Sequence, residues 1–371
     1  MMKNNDKGRF LSKLADTVAV TDPMYKKVEQ RYEGITTYFK EKALKDYDLE
    51  LYVQGSFALG TAIKPINPEG EYDVDIICKL KDGGADILHM PPTVLKQKVG
   101  YAVLSYCNSI GILKAPENNR KCWTIHYSGS EHFHIDIVPA LIGDDLYLRQ
   151  LKAKGFDPKD IPDLEKAIVL TETGKVDWDV SNPLAYINWF DNINSRDTDL
   201  MEKTASFHKV EVAQLRPNYK RTDLQRAIQL IKRHRDYRCG EDKDKPVSVI
   251  LTTIAAMNYD YKMTLIEFLE FIPIKLLESL DQGFVKNPVN PLEDFADKWK
   301  HVPRKKEKFR DWAEQLKKDV NRIVSASSID EVEGILSPSM GSSIIKEAAL
   351  LFQSNDTSSR LPKPIGAWGT H

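Results

Sequence analysis

Asp73 and Asp75 stand two residues apart in Glu71-Tyr72-Asp73-Val74-Asp75-Ile76-Ile77, where Tyr72, Val74 and Ile76 alternate with them. Residues i and i+2 of a strand leave the same face, so both carboxylates project together while the apolar partners turn toward a core. Two carboxylates side by side repel unless a cation sits between them. Upstream, Leu49, Leu51 and Val53 alternate toward Gln54-Gly55-Ser56-Phe57-Ala58-Leu59-Gly60-Thr61. That pattern is a strand running into a Gly-Ser turn, where a residue without Cβ lets backbone N–H groups approach a phosphate. A third carboxylate, Asp136, lies in His132-Phe133-His134-Ile135-Asp136-Ile137-Val138-Pro139, with Phe133, Ile135 and Ile137 on the opposite side. Three oxygen ligands converging from two strands would hold two Mg²⁺ (or Mn²⁺) ions, which activate an attacking hydroxyl and neutralise a leaving pyrophosphate. His132 and His134 also admit a transition metal. With no clustered cysteines beside them, a structural or substrate-contact role is expected instead.

These motifs must be positioned by strands and by helices packed behind them. Asp22-Pro23 opens a helix in which Met24, Val28, Tyr32, Ile35 and Phe39 recur at helical spacing, ending near Lys42 and bracing the sheet. The first ~20 residues are polar and are expected to be loose or to act as a short arm. Lys81 to Asp86 reads as a loop, Pro92 begins a helix, and Trp123, Ile125 and Tyr127 form a hairpin with the Asp136 strand. Leu146 to Asp160 has no clear pattern, and Ser181-Asn182-Pro183 turns into an aromatic-rich helix. Thr222-Asp223-Leu224-Gln225 is a capping box opening a helix whose stripe is Leu224, Ala227, Ile228 and Ile231. Lys232 sits beside that stripe, and Arg233 and Arg235 are as compatible with solvated faces as with a site. Lys245-Pro246-Val247-Ser248 opens an apolar helix, Val249 to Met257, whose N–H groups suit a phosphate. The remainder is helical in pattern, with Leu361 to Gly369 a loop or docking tail.

Composition narrows the partners. Lys plus Arg number 53 against 54 acidic residues, a net charge of −1, so no global field recruits nucleic acid. The four cysteines, Cys78, Cys107, Cys122 and Cys239, are scattered, which fits a reduced, cytoplasmic protein without structural zinc. No apolar run approaches the ~20 residues that cross a bilayer.

Gly-Ser, then Asp-x-Asp, then a later strand aspartate resembles the DNA polymerase β superfamily of nucleotidyltransferases. With the His-Ile-Asp136-Ile-Val-Pro strand, Ser181 to Phe190, Leu224 to Arg235 and Lys245 to Ser248, the chain resembles the bacterial cGAS/DncV-like nucleotidyltransferases (CD-NTases) of anti-phage signalling. The resemblance covers about residues 22–260 well, and the C-terminal hundred only in helical character. It implies an α+β fold, a polymerase β-like mixed sheet with helices joined to a C-terminal helical lobe, with the active site in the cleft. The catalytic lobe is expected over residues 1–190 and the helical nucleotide-binding lobe over 191–371. The implied activity makes cyclic di- or trinucleotides, or linear oligonucleotides, from ATP and other nucleoside triphosphates. By resemblance Gly55 and Ser56 hold the donor triphosphate, and Asp73 and Asp75 bind both metals. Asp136 binds the catalytic metal and helps deprotonate the acceptor, while Lys232 and Ser248 grip the triphosphate tail. Nucleic-acid activation is not expected, since the zinc insertion of the animal cyclic GMP-AMP synthase has no counterpart, and the near-neutral charge argues against a nucleic-acid template. Some relatives are switched on by a peptide-binding regulatory partner protein. Transfer to an RNA end, a small molecule or a protein, or a silent nucleotide-binding module, are the alternative readings.

Overall fold

A computed structural model describes residues 3–67, 70–82, 90–127, 133–195 and 221–358. The expectations for His132, for residues 83–86 and for Leu361 to Gly369 fall outside these residues. The chain begins not with a loose arm but with helix α1 (Asn4–Val18), which buries Phe10, Leu11, Leu14 and Val18. Four apolar residues recur on one side, where Lys7 and Thr17 are buried with them, and that stripe outweighs the polar average. Helix α2 (Asp22–Tyr38) has Thr21 as N-cap and Pro23 in its first turn, and continues through a π-helical turn, Phe39–Ala43. Tyr32 of α2 donates to the Leu51 carbonyl at 2.8 Å, which fixes the helix on the sheet.

Among the described residues the sheet is mixed and seven-stranded. It contains β1 (Asp48–Gln54), β2 (Tyr72–Asp82), β3 (Glu117–Asn118), β4 (Trp123–Tyr127), β5 (Phe133–Ile142), β6 (Ile168–Leu170) and β7 (Asp179–Ser181). Strands run β1-β2-β5-β4-β3, with β6 paired to β5 and β7 to β6. β2 and β5 are parallel, and the β1–β2 and β4–β5 pairs are antiparallel. The one-turn helix α3 (Gly55–Ala58) leaves the end of β1, and α4 (Pro92–Ser109) packs behind β4 and β5. Helix α5 (Asp144–Ala153) occupies much of the stretch that showed no sequence pattern. Helix α6 (Pro183–Asn194) is capped by Asn182, whose side chain accepts from Ala185 N at 3.2 Å.

The C-terminal half is helical. α7 (Asp223–Cys239) starts at the Thr222–Gln225 capping box, and α8 (Ser248–Met257) and α9 (Leu265–Gln282) follow. A two-stranded hairpin, β8 (Lys286–Asn287) and β9 (Asn290–Asp294), precedes α10 (Pro303–Ser325), α11 (Ile329–Met340) and α12 (Ser342–Ser358). α1, although first in the chain, packs against α12, α7 and α9. One buried apolar cluster runs from Phe10 through the sheet to Ala349. Among the described residues no helix is long and apolar enough to cross a membrane, and the four cysteines are free thiols.

Candidate active site

Strand register assembles the acidic face. Asp75 lies opposite Asp136 across the parallel β2–β5 pair, and Asp73 lies opposite His134. On the far side of β5, Thr124 and His126 of β4 stand opposite Asp136 and His134. Asp73, His134 and Asp136 each present a ligand atom, all within 4.8 Å of one another. The Thr124 hydroxyl donates to Asp136 Oδ1 and fixes that carboxylate from below. His134 Nε2 is 3.2 Å from Asp73 Oδ1, and its Nδ1 is 3.2 Å from Glu71 Oε2. That hydrogen bond to Asp73 holds the imidazole up at about 9, against the burial that lowers it. Asp75 is pushed up to about 8, first by burial and then by the charges of Asp73 and Asp136. A face that raises a carboxyl this far and recruits an imidazolium is one short of positive charge. Its oxygen-rich donors fit a hard divalent cation such as Mg²⁺ or Mn²⁺.

Gly55 is required by this face. Its φ is +65°, and a Cβ built there would lie 2.6 Å from Asp75 Oδ2. α3 therefore enters directly over the acidic strand, with N–H groups that lack intrahelical acceptors at its start.

The face opens into a cleft of about 620 Å³ lined by Gly55, Ser56, Asp73 and Asp75 on the sheet side and by Lys232 and Ser248 on the helical side. Six of the seven expected site residues thus border one space, and the seventh, Asp136, adjoins Asp75 in the sheet. Lys232 is 4% exposed and donates to the Thr61 carbonyl at 3.2 Å and hydroxyl at 3.1 Å. Burial first, then Arg235, lowers its ammonium to about 7. Ser248 begins α8, and its Oγ accepts from Arg235 Nη1 at 2.8 Å.

Residues 49–139 match the family model for the cyclic GMP-AMP synthase DncV-like nucleotidyltransferase domain. The chain carries a DncV-like nucleotidyltransferase domain. It is 29% identical over 340 residues to a c-di-GMP synthase of Roseivirga ehrenbergii, covering 89% of this chain and 82% of that protein. It shares its fold with the CD-NTase CdnG of Bradyrhizobium diazoefficiens, solved in complex with GTP (TM-score 0.71, 20% identity, 94% of this chain and 98% of that one). The Escherichia coli MS115-1 CdnC in a CdnC:HORMA-deltaN complex is similar at TM-score 0.59 and 14% identity, over 90% and 96% of the two chains.

Around the cleft the structure decides between readings that the sequence left open and adds residues that it did not single out. Arg235 and Arg233 are buried rather than solvated: Arg235 also donates to the Pro246 carbonyl at 2.9 Å, and Arg233 to Met340 O at 3.0 Å. Gln225 Nε2 donates to Leu59 O at 2.9 Å and Gln229 Nε2 to Ala62 O at 3.0 Å. Thr124 gave no signal beyond its place opposite Asp136, which only the pairing register reveals.

Proposed function

We propose that this protein joins nucleoside triphosphates, GTP among them, into a cyclic dinucleotide by divalent-metal-assisted nucleotidyl transfer. The observation that carries the reading is the Asp75–Asp136 register, with Asp73 on the same face, opening into a cleft that Lys232 and Ser248 border from the helical side. Two relatives support it by their names and contents, a c-di-GMP synthase and a CdnG solved with GTP. Asp73 and Asp75 would hold two Mg²⁺ or Mn²⁺ ions, with Asp136 as a further ligand to the catalytic one. When bound, these ions acidify the acceptor hydroxyl and offset the charge of the departing pyrophosphate. Asp136, oriented by Thr124, takes the acceptor proton. Gly55 and Ser56 hold the donor triphosphate, while Lys232 turns from Thr61 to its tail and Ser248 donates to the same phosphates. The work is alignment and charge neutralisation, with no covalent enzyme intermediate.

The reading extends to ATP as a second substrate, to a cytoplasmic enzyme of anti-phage signalling, and to a peptide-binding regulatory protein as partner. The last is supported by the similarity to a CdnC solved with a HORMA protein. The test incubates nuclease-treated protein with each labelled nucleoside triphosphate and Mg²⁺ or Mn²⁺. Phosphatase-resistant products are then identified by mass spectrometry. Cyclic dinucleotide that disappears with a chelator is expected. Label that enters only an added RNA end would replace this reading with the primer-extending one.

A further inference from the structure

The β8–β9 hairpin brings a carboxylate into the cleft that the metal chemistry does not use. Glu293 of β9 and Asn287 of β8 both line the space, together with the rings of Tyr186 and Phe295. Asn287 Nδ2 donates to Glu293 Oε2 at 2.7 Å, and Asn287 Oδ1 accepts from Val289 N at 3.0 Å, so the amide cannot turn away. Tyr147 pins the hairpin's tip by donating to Val289 O at 3.2 Å. Among the described residues Glu293 forms no ion pair. Its second oxygen keeps its acceptor capacity, and Tyr186 and Phe295, packed edge-to-face at 6.0 Å, line the same cleft.

We propose that Glu293, held by Asn287, is the residue that selects guanine, accepting the N1–H and N2–H groups of a base that lies against the Tyr186–Phe295 pair. The inference rests on the nucleotidyltransferase reading above and deepens it by naming the base and the group that reads it. A carboxylate is acceptor-only when ionised. Guanine offers two adjacent donors on its Watson–Crick edge, and a carboxylate satisfies both. Adenine offers one donor and one lone pair there, and that lone pair would face a negative oxygen. Sites built to hydrogen-bond a donor reject analogues that lack it far more strongly than apolar pockets reject a change of shape. Burial raises the Glu293 carboxyl above its ordinary value, in keeping with an acceptor that gains from N–H donors brought by the ligand. The hairpin thus acts as a specificity element set apart from the metal-bearing sheet.

The test measures binding of non-hydrolysable GTP, ATP and inosine triphosphate analogues to the full chain with Mg²⁺, for wild type and Glu293→Gln. Glutamine keeps the shape, and with its oxygen toward Asn287 it presents N–H where guanine also presents N–H. Wild type should bind the guanine nucleotide about tenfold or more tighter than the other two, because inosine lacks the N2 amino group. Glu293→Gln should lower the guanine-to-adenine ratio on the order of 10–100-fold, the scale of losing a charge-assisted pair. Its guanine and inosine affinities should converge. An unchanged ratio in a variant that melts like wild type overturns the proposal and leaves the enzyme reading standing. So does equal wild-type affinity for guanine and inosine nucleotides, a comparison that needs no variant to fold. A wild type that binds no nucleoside triphosphate overturns the enzyme reading itself.

Discussion

Asp75 sits between two like charges, and His134 answers them with its own. The folded Asp75 value of about 8 lies above the unfolded value, so its penalty is absent below about pH 4 and complete once pH has risen through 8. His134 is raised to about 9, so its contribution is full below about pH 6.5 and lost as pH rises through 9. Both signs agree. Melting in EDTA should therefore fall from about pH 6.5 to 9, and Mg²⁺ should raise the melting temperature more at about pH 8.5 than at pH 6. A magnesium shift independent of pH would argue against a cation on this face. Asp75→Asn should abolish product formation yet melt at or above the wild-type temperature at about pH 8 without metal, because a crowded charge is gone. Gly55→Ala should cost at least about 1 kcal/mol from the left-handed backbone alone, and more from the Cβ driven toward Asp75 Oδ2. A loss of activity with wild-type melting would contradict that strain. These residues were legible because a strand's period of two converts spacing directly into a shared face. Thr124 and His134's pairing with Asp73 were not, because the first depends on the hairpin's register and the second on β2 lying beside β5.

At the level of elements, α7 is where sequence reading and structure part most. An amphipathic pattern assigns cations to solvent, yet Lys232, Arg233, His234 and Arg235 are all at most 5% exposed. Each is consumed by a different neighbour. Lys232 takes Thr61, Arg233 the end of α11, and Arg235 the start of α8. His234 Nε2 donates to Asp319 at 3.1 Å while Nδ1 accepts from Trp312 Nε1 at 3.0 Å, both on α10. No one-dimensional pattern announces a helix surrounded on all sides. The β8–β9 hairpin was hidden similarly, since Pro288 and Pro291 break helical periodicity without alternation to replace it. Two outcomes separate the roles on α7. Lys232→Met should keep or raise stability, since an apolar chain replaces a buried ammonium, and should weaken nucleotide binding about tenfold. Equal affinity in a titration would assign Lys232 to the lobe contact alone. His234→Ala orphans the Trp312 N–H and leaves Asp319 with only Ser339 and Gln315 as close donors, and should cost on the order of 3 kcal/mol in urea unfolding. A loss under 1 kcal/mol would mean that water replaces the ring.

Across the whole molecule, a net charge of −1 provides no evident track for a polymer of phosphates. Product yield should therefore be the same with nuclease treatment or added RNA, and binding of nucleoside triphosphate should not collapse with salt as polymer binding does. Product that requires a primer would reverse this. One apolar cluster joins sheet and helices, and four side chains of α7 donate to residues 59–65. Gln225 reaches Leu59, Gln229 Ala62, Lys232 Thr61, and Arg233 Pro65. The Lys232–Thr61 hydrogen bond spans 171 positions of sequence. On a ribosome adding roughly 5–20 residues per second, the carbonyls after the Gly-Ser turn must wait about 9–34 s for their donors to be synthesised. Through that interval the acidic sheet exists without the helix that closes it, so the nascent chain is a metal-binding surface before it is a cleft. Chaperone engagement and misfolding should concentrate in that window, and a stall placed between residues 195 and 235 should trap it.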